Sequence, residues 1–278
     1  MFLIEILKTI LLGIIEGITE WLPVSSTGHM IIAEDFLKLN VSEPFWNMFL
    51  VVIQLGAILA VVVLYFNRLN PFSKKKSPAE RKGVFSLWGK ILVAAVPAAV
   101  IGLLLDDFLE AHLMTPPVVA AALIVYGIAF IVIEKVKKND TPKCTSVEEI
   151  TCAGALKIGL FQVLSLIPGT SRSGSTILGG MLTGVARPAG AEFSFFLAIP
   201  VMLGASALKL LKFVLKVGFS FTGEELLILA VGVAVAFVVS LAAIRFLVSF
   251  VRRHSFAAFG YYRIVLGAIV LAYFFITK

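Results

Sequence analysis

The sequence predicts an all-α integral membrane protein made of two inverted-topology repeats, each a re-entrant helical hairpin followed by three transmembrane helices. Three observations carry this reading. Of the 278 residues, 59% are hydrophobic, and the mean hydropathy is +1.01. Soluble domains are usually about 45–50% apolar. Six clean apolar runs, at roughly 47–66, 84–105, 116–134, 190–211, 224–249 and 256–276, are long enough to cross a bilayer, which takes about 20 residues each. Two further apolar segments, 1–40 and 150–189, are broken in the middle by Pro, Gly and Ser, and they resemble one another. A membrane β-barrel would show short alternating segments instead.

The first broken segment reads GIIEGITEWLPVSSTG over 13–28, and the second reads GLFQVLSLIPGTSRSG over 159–174. Each has a Gly, then Glu16 or Gln162 three residues on, then a Pro and a Ser/Thr-rich turn ending in Gly. Each reads as two half-helices joined by a turn at membrane depth, an arrangement tolerated only inside protein or against a cavity. IQLGA at 53–57 is echoed by IPVMLGA at 199–205. The expected boundaries are 1–149 for the first repeat, with its hairpin at about 1–40, and 150–278 for the second, with its hairpin at about 150–189.

Loop charge sets the expected orientation. The connection 67–83 carries Arg68, Lys74, Lys75, Lys76, Arg81 and Lys82 against Glu80 alone, and is placed in the cytoplasm. The connection 106–112, with Asp106, Asp107 and Glu110, is placed outside. Three crossings per repeat then invert the second repeat. Arg252 and Arg253 fall inside in agreement, while Lys212 and Lys216 fall outside and disagree mildly. Both termini lie outside, and the two hairpins enter from opposite faces to meet near the midplane, where such folds place their site.

The net charge of +7 is read as basic loops beside helices rather than as a nucleic-acid surface. Cys144 and Cys152 share one polar connection and are read as free thiols. With only three His in the chain, they make no zinc site. Glu5 precedes Lys8, and Glu16 and Glu20 interrupt the first apolar stretch. The N-terminal segment therefore reads as part of the mature chain rather than a signal peptide.

The chemistry concentrates at the two breaks. Glu16 and Glu20, spaced i and i+4, share one helix face. A charged side chain at the centre of a membrane helix costs about 2.5–3.5 kcal/mol on insertion scales, so this pair needs a compensating partner. Either it binds a divalent cation through oxygen, or mutual repulsion and burial make one carboxyl a general acid or base. Pro23 is expected to end the first half-helix. Ser25, Ser26 and Thr27 are N-cap candidates for the next, and a helix N-terminus is an anion site. His29 lies in the same turn. In the second turn, Gly169 and Gly174 allow close backbone approach, Ser171, Ser173, Ser175 and Thr176 supply donors, and Arg172 supplies a guanidinium suited to phosphate. The bland readings are a solvated carboxylate pair, a self-capping turn and a structural ion pair between Arg172 and Glu16 or Glu20. Together the residues describe a pocket for phosphoryl chemistry, with two helix N-termini facing each other across it.

EGITEWLPVSSTGH and PGTSRSGST, with AEFSFFLAIP, resemble the undecaprenyl-diphosphatase family, known for bacitracin resistance, over essentially the whole chain. The resemblance implies an enzyme of the bacterial inner membrane. It would hydrolyse undecaprenyl diphosphate to undecaprenyl phosphate and inorganic phosphate, depend on a divalent cation (Mg²⁺ or Ca²⁺) and open to the periplasmic side. It carries function onto Glu16, Glu20, Ser25, Ser26, Thr27, His29, Ser171, Arg172, Ser173 and Thr176. On this reading Arg172, Ser171 and Ser173 hold the diphosphate, and Glu16 and Glu20 bind the cation or one of them acts as base. Ser26 is the candidate nucleophile with His29 orienting it or relaying its proton, in competition with a metal-bound or Glu-activated water. Phe193, Phe195 and Phe196 are candidates for lining a prenyl groove, with lipid-facing packing as the bland reading for each. The implied partners are the lipid substrate and membrane lipids, a homodimer stays open, and no nucleic acid is implied. The rival class is a transporter or flippase of a lipid phosphate with a midplane anion site.

Overall fold

A computed structural model describes residues 2–218 and 221–277, with only the backbone at positions 106, 107, 110 and 277. Twelve α-helices and no β-strand occur among the described residues. They are α1 (Phe2–Thr19), α2 (Ser26–Leu37), α3 (Glu43–Val52), α4 (Gln54–Leu64), α5 (Phe66–Leu69), α6 (Pro78–Leu113), α7 (Pro116–Val136), α8 (Cys152–Val163), α9 (Arg172–Leu182), α10 (Arg187–Val217), α11 (Gly223–Val251) and α12 (Ala257–Thr277).

Six stretches are long and apolar enough to cross a bilayer: Glu43–Leu64, Pro78–Leu105, Pro116–Val136, Arg187–Val217, Gly223–Val251 and Ala257–Ile276. They fall on the six apolar runs expected from the sequence. Local chemistry explains their starts. Ser77 with Glu80, and Thr222 with Glu225, form capping boxes that satisfy N–H groups a helix start leaves orphaned. Pro78, Pro116 and Pro188 sit in the first turn of their helices, where a missing N–H costs nothing. Pro97 and Pro200 lie inside α6 and α10.

Three expectations need correction. The segment 106–112 is the end of α6 rather than a loop. No Gly or Pro follows Gly102 until Pro116, so nothing stops the helix. The side chains of Asp106, Asp107 and Glu110, on which the external placement rested, lie outside the described residues. The first arm is also not a half-helix: α1 has 18 residues, a rise of about 27 Å, against about 18 Å for the 12 residues of α8. Finally, Phe193, Phe195 and Phe196 line no groove. All three are fully buried. Phe195 stands edge-on to Trp21 at 5.4 Å and Phe196 to Tyr65 at 5.1 Å. Such aromatic packing makes the first half of α10 a core element.

The halves of the chain pack by exchange. α1 lies on α11, and α8 lies on α6. Both contacts need glycine. A Cβ at Gly17 would come within 2.9 Å of the Ala236 carbonyl, and one at Gly159 within 2.2 Å of the Ala94 carbonyl. Helix backbones touch there, as small residues allow in membranes. α7 and α12 pair along most of their length. The two breaks, 20–25 after α1 and 164–171 after α8, are carried inward by these contacts.

A candidate site at two helix breaks

The first break begins at Thr19, four residues before Pro23, where the Thr19 hydroxyl donates to the Ile15 carbonyl at 2.7 Å. Pro23 lacks the N–H that the Thr19 carbonyl would accept, so the helix ends there, as the sequence predicts. The chain turns through Pro23 and restarts at Ser25, whose φ is +72°. That region is sparsely populated by non-glycine residues and stores strain. The strain sets the serine as N-cap: Ser25 Oγ accepts from the Gly28 N–H at 3.3 Å. The second break repeats this geometry. Ser171 has φ +71°, and its Oγ accepts from the Gly174 N–H at 3.2 Å. Ser25 with Ser171, Gly28 with Gly174 and Glu16 with Gln162 all keep one register.

The breaks meet by direct contact rather than across an open pocket. Ser173 Oγ donates to the Glu20 carbonyl at 3.1 Å. Arg172 Nη2 donates to Glu20 Oε1 at 2.8 Å, with side-chain exposures of 10% and 8% for Arg172 and Glu20. Breaking a pair this buried by removing one partner costs about 3–5 kcal/mol. The Arg172 guanidinium also donates to the Ser194 carbonyl at 2.8 Å and lies 5.6 Å from the centre of the Trp21 ring. Thr176 Oγ1 lies 2.7 Å from Ser194 Oγ and donates to the Arg172 and Ser173 carbonyls. It therefore braces α9 and the Arg172 anchor.

Ser26 Oγ donates to Glu20 Oε2 at 3.1 Å, so Glu20 links the arginine to the hydroxyl. His29 is placed elsewhere. Its Nδ1 is 2.7 Å from the Ser25 carbonyl and its Nε2 is 2.7 Å from the Tyr262 hydroxyl, so both ring nitrogens are engaged away from Ser26. Glu16 is buried, and its Oε1 has no hydrogen-bond partner. Thr27 makes no side-chain hydrogen bond among the described residues. Ser171 Oγ lies 3.2 Å from Ser173 Oγ.

The sequence reading missed Arg263, in the span taken as clean. It is fully buried and donates to the Pro23 carbonyl of the first break and to the Gly169 and Thr170 carbonyls of the second. The signal was present, because an arginine inside a membrane span is a functional residue by default. Ser194, Trp21 and Tyr262 carried no such signal; only the tertiary fold brings them here.

Fold and site together define a polytopic helical membrane protein with a buried polar centre where two strained, serine-capped helix starts meet. The chain belongs to the family described as bacitracin resistance protein BacA, whose model matches residues 9–269. It is 59% identical over 266 residues, 96% of both chains, to the undecaprenyl-diphosphatase of Enterococcus faecalis. It is 56% identical over 275 residues to that of Desulfitobacterium hafniense, covering 99% of this chain and 98% of the relative. It is 54% identical over 276 residues to that of Acetivibrio thermocellus, covering 99% and 100%.

Proposed function

We propose that the chain is an undecaprenyl-diphosphatase. It hydrolyses undecaprenyl diphosphate to undecaprenyl phosphate and inorganic phosphate, recycles the lipid carrier of bacterial cell-wall synthesis and so confers bacitracin resistance. The observation that carries the reading to these residues is the Arg172–Glu20–Ser26 chain, in which residues from the two breaks share one carboxylate.

Arg172, with Ser171 and Ser173 at the start of α9, binds the diphosphate. The guanidinium fork and helix-start N–H groups suit phosphoryl oxygens. When the diphosphate enters, it replaces Glu20 on Arg172 and frees that carboxylate. Glu20 then accepts the Ser26 proton as Ser26 Oγ attacks the terminal phosphorus. The anhydride P–O bond breaks, and undecaprenyl phosphate leaves with the electron pair. Water then cleaves the Ser26 phosphoester and releases phosphate. In the competing route Glu20 takes the proton from a water that attacks directly. His29 orients the start of α2 through the Ser25 carbonyl. Ser25 and Thr27 present the helix start, and Thr176 fixes Arg172 through Ser194.

Mg²⁺ or Ca²⁺ fits this donor set. No group of three or more His, Cys, Asp or Glu forms a metal cluster among the described residues. However, Mg²⁺ commonly uses one or two carboxylates and completes its shell with substrate phosphate and water. The unpartnered Glu16 Oε1, beside Glu20, is the acceptor such a cation would use. A bound cation would supply neutralisation of charge on the diphosphate oxygens.

The frame we infer is a pair of inverted repeats, 1–149 and 150–278, whose re-entrant hairpins enter from opposite faces of the inner membrane and open the site to the periplasm. The reciprocal packing of α1 on α11 and α8 on α6, the matched strain at Ser25 and Ser171 and the basic connection at 67–83 support it. A lipid-phosphate carrier would share this frame. It would have no use for carboxylates on one break only, where the other has Gln162 and Leu166.

The test is phosphate release from undecaprenyl diphosphate by the purified protein in detergent, with Mg²⁺ or Ca²⁺ and with EDTA. Cation-dependent release without any membrane gradient is expected. No release from monodisperse protein would return the reading to transport.

A further inference from the structure

We propose that Arg263 is a positioning residue that clamps the two helix breaks to each other. Its catalytic consequence rests on the phosphatase reading above; the clamp itself does not.

Three observations carry it. Arg263 is fully buried in α12 and has no ion pair with a carboxylate among the described residues. Its two Nη groups donate only to backbone carbonyls, Nη1 to Pro23 at 3.2 Å and Nη2 to Gly169 at 2.8 Å and Thr170 at 3.0 Å, while its buried Nε has no partner among the described residues. All three carbonyls lie outside the helices, in the turns where regular hydrogen bonding lapses. With no water in a membrane interior, such carbonyls need a partner within the protein. One guanidinium supplies it to both turns at once.

The fork geometry explains why an arginine is needed. Two nitrogens of one rigid plane reach acceptors on different segments, which a single ammonium on a flexible stem cannot do. The plane is held in turn, since the guanidinium carbon lies 5.6 Å from the centre of the Tyr126 ring on α7. Beside it, Gly174 leaves room: a Cβ there would come within 3.4 Å of Nη1. Pro23 lies two residues before the Ser25 cap, and Thr170 lies one before the Ser171 cap. The clamp therefore fixes the separation of the two helix starts, and with it the distance between Arg172 and the Glu20–Ser26 pair. Arg263 itself has no hydrogen bond to Glu16, Glu20, Ser26 or Arg172, so it acts through the backbone.

The test is Arg263→Lys in the full-length protein in detergent, with two readouts beside wild type. Hydrogen–deuterium exchange should speed up in both break segments, 20–28 and 166–174, while α11 stays unchanged. Steady-state kinetics on the monodisperse fraction should show kcat reduced on the order of 10²-fold, the scale of a small misplacement of reacting groups, with KM nearly unchanged. A residue serving only global stability would lower the yield of folded protein and leave kcat and local exchange as in wild type. That outcome, or faster exchange in one break alone, would overturn the clamp. If Arg263→Lys does not fold, Tyr126→Leu removes the ring beneath the guanidinium and should give the same paired change, smaller; no paired change there would equally overturn it. If wild type releases no phosphate while the paired exchange change persists, the phosphatase reading fails and the clamp stands.

Discussion

The two breaks have one backbone and two chemistries. Ser25 and Ser171 share a φ near +70° and cap the following helix through the N–H three residues on. Yet where the first break has Glu16, Ser26 and His29, the second has Gln162, Arg172 and Ser175 in the same register. Glu20 faces the second break and finds Arg172 there. The comparison teaches that the repeated element is a strained helix start, which sets geometry. Side chains outside that minimum are free to diverge, so one break gathers the carboxylates and the other the cation. Opposite charges that pair until a ligand parts them can thus be carried by two turns of one shape.

Substitutions can break or sharpen this division. The largest expected effect is at its cationic side. Arg172→Ala should lower phosphate release by roughly 10³-fold or more, the scale for losing a positive clamp on a transferring phosphoryl group. Activity close to wild type in a phosphate-release assay would remove the second break from the chemistry. Next, Ser26→Ala should reduce kcat by at least ~10²-fold if Ser26 is the nucleophile; near-normal turnover would hand the attack to water activated by Glu20. Glu16→Gln copies the second break into the first. It should raise the Mg²⁺ concentration for half-maximal activity by about tenfold, or ~1.4 kcal/mol, read by titrating the cation. An unchanged titration would place the cation elsewhere. The smallest effect tests the equivalence itself. Ser25→Ala and Ser171→Ala should each destabilise by about 1 kcal/mol through loss of the cap, measured by thermal unfolding in detergent. Unequal losses would mean the two turns are alike in shape only.

What was legible in the sequence was local. Pro, Gly and Ser clusters punctuate the chain wherever they occur, so both breaks and all six spans could be placed. The cap of α2 could be narrowed to Ser25, Ser26 or Thr27 because capping is decided within four residues, and the structure makes it Ser25. What failed was long-range or a matter of extent. The end of α6 was taken as a loop because its acidic residues mark a boundary of polarity, not of helicity. Among the described residues no hydrogen bond joins Ser26 to His29, the group expected to orient it or relay its proton; Ser26 bonds Glu20 instead. The His29 ring is held by the Ser25 carbonyl and by Tyr262 on α12, and Tyr262 lies too far along the chain to be read locally. The Phe193, Phe195 and Phe196 cluster looks the same in a lipid groove and in a core, and only packing against Trp21 and Tyr65 decides. Arg263 was legible and passed over, one charge in an otherwise apolar span.

The exchanged packing of the two halves has a consequence for how the chain is made. Gly13 and Gly17 on α1 dock against α11, which begins at Gly223, so α1 waits for a helix made about two hundred residues later. Until α9 is made Glu16 and Glu20 have no Arg172, and until α11 is made they have no finished protein interior around them. α8 is spared this, because α6, its partner, is already in place when it emerges. The early part of biogenesis therefore carries an exposed pair of carboxylates in or beside the bilayer.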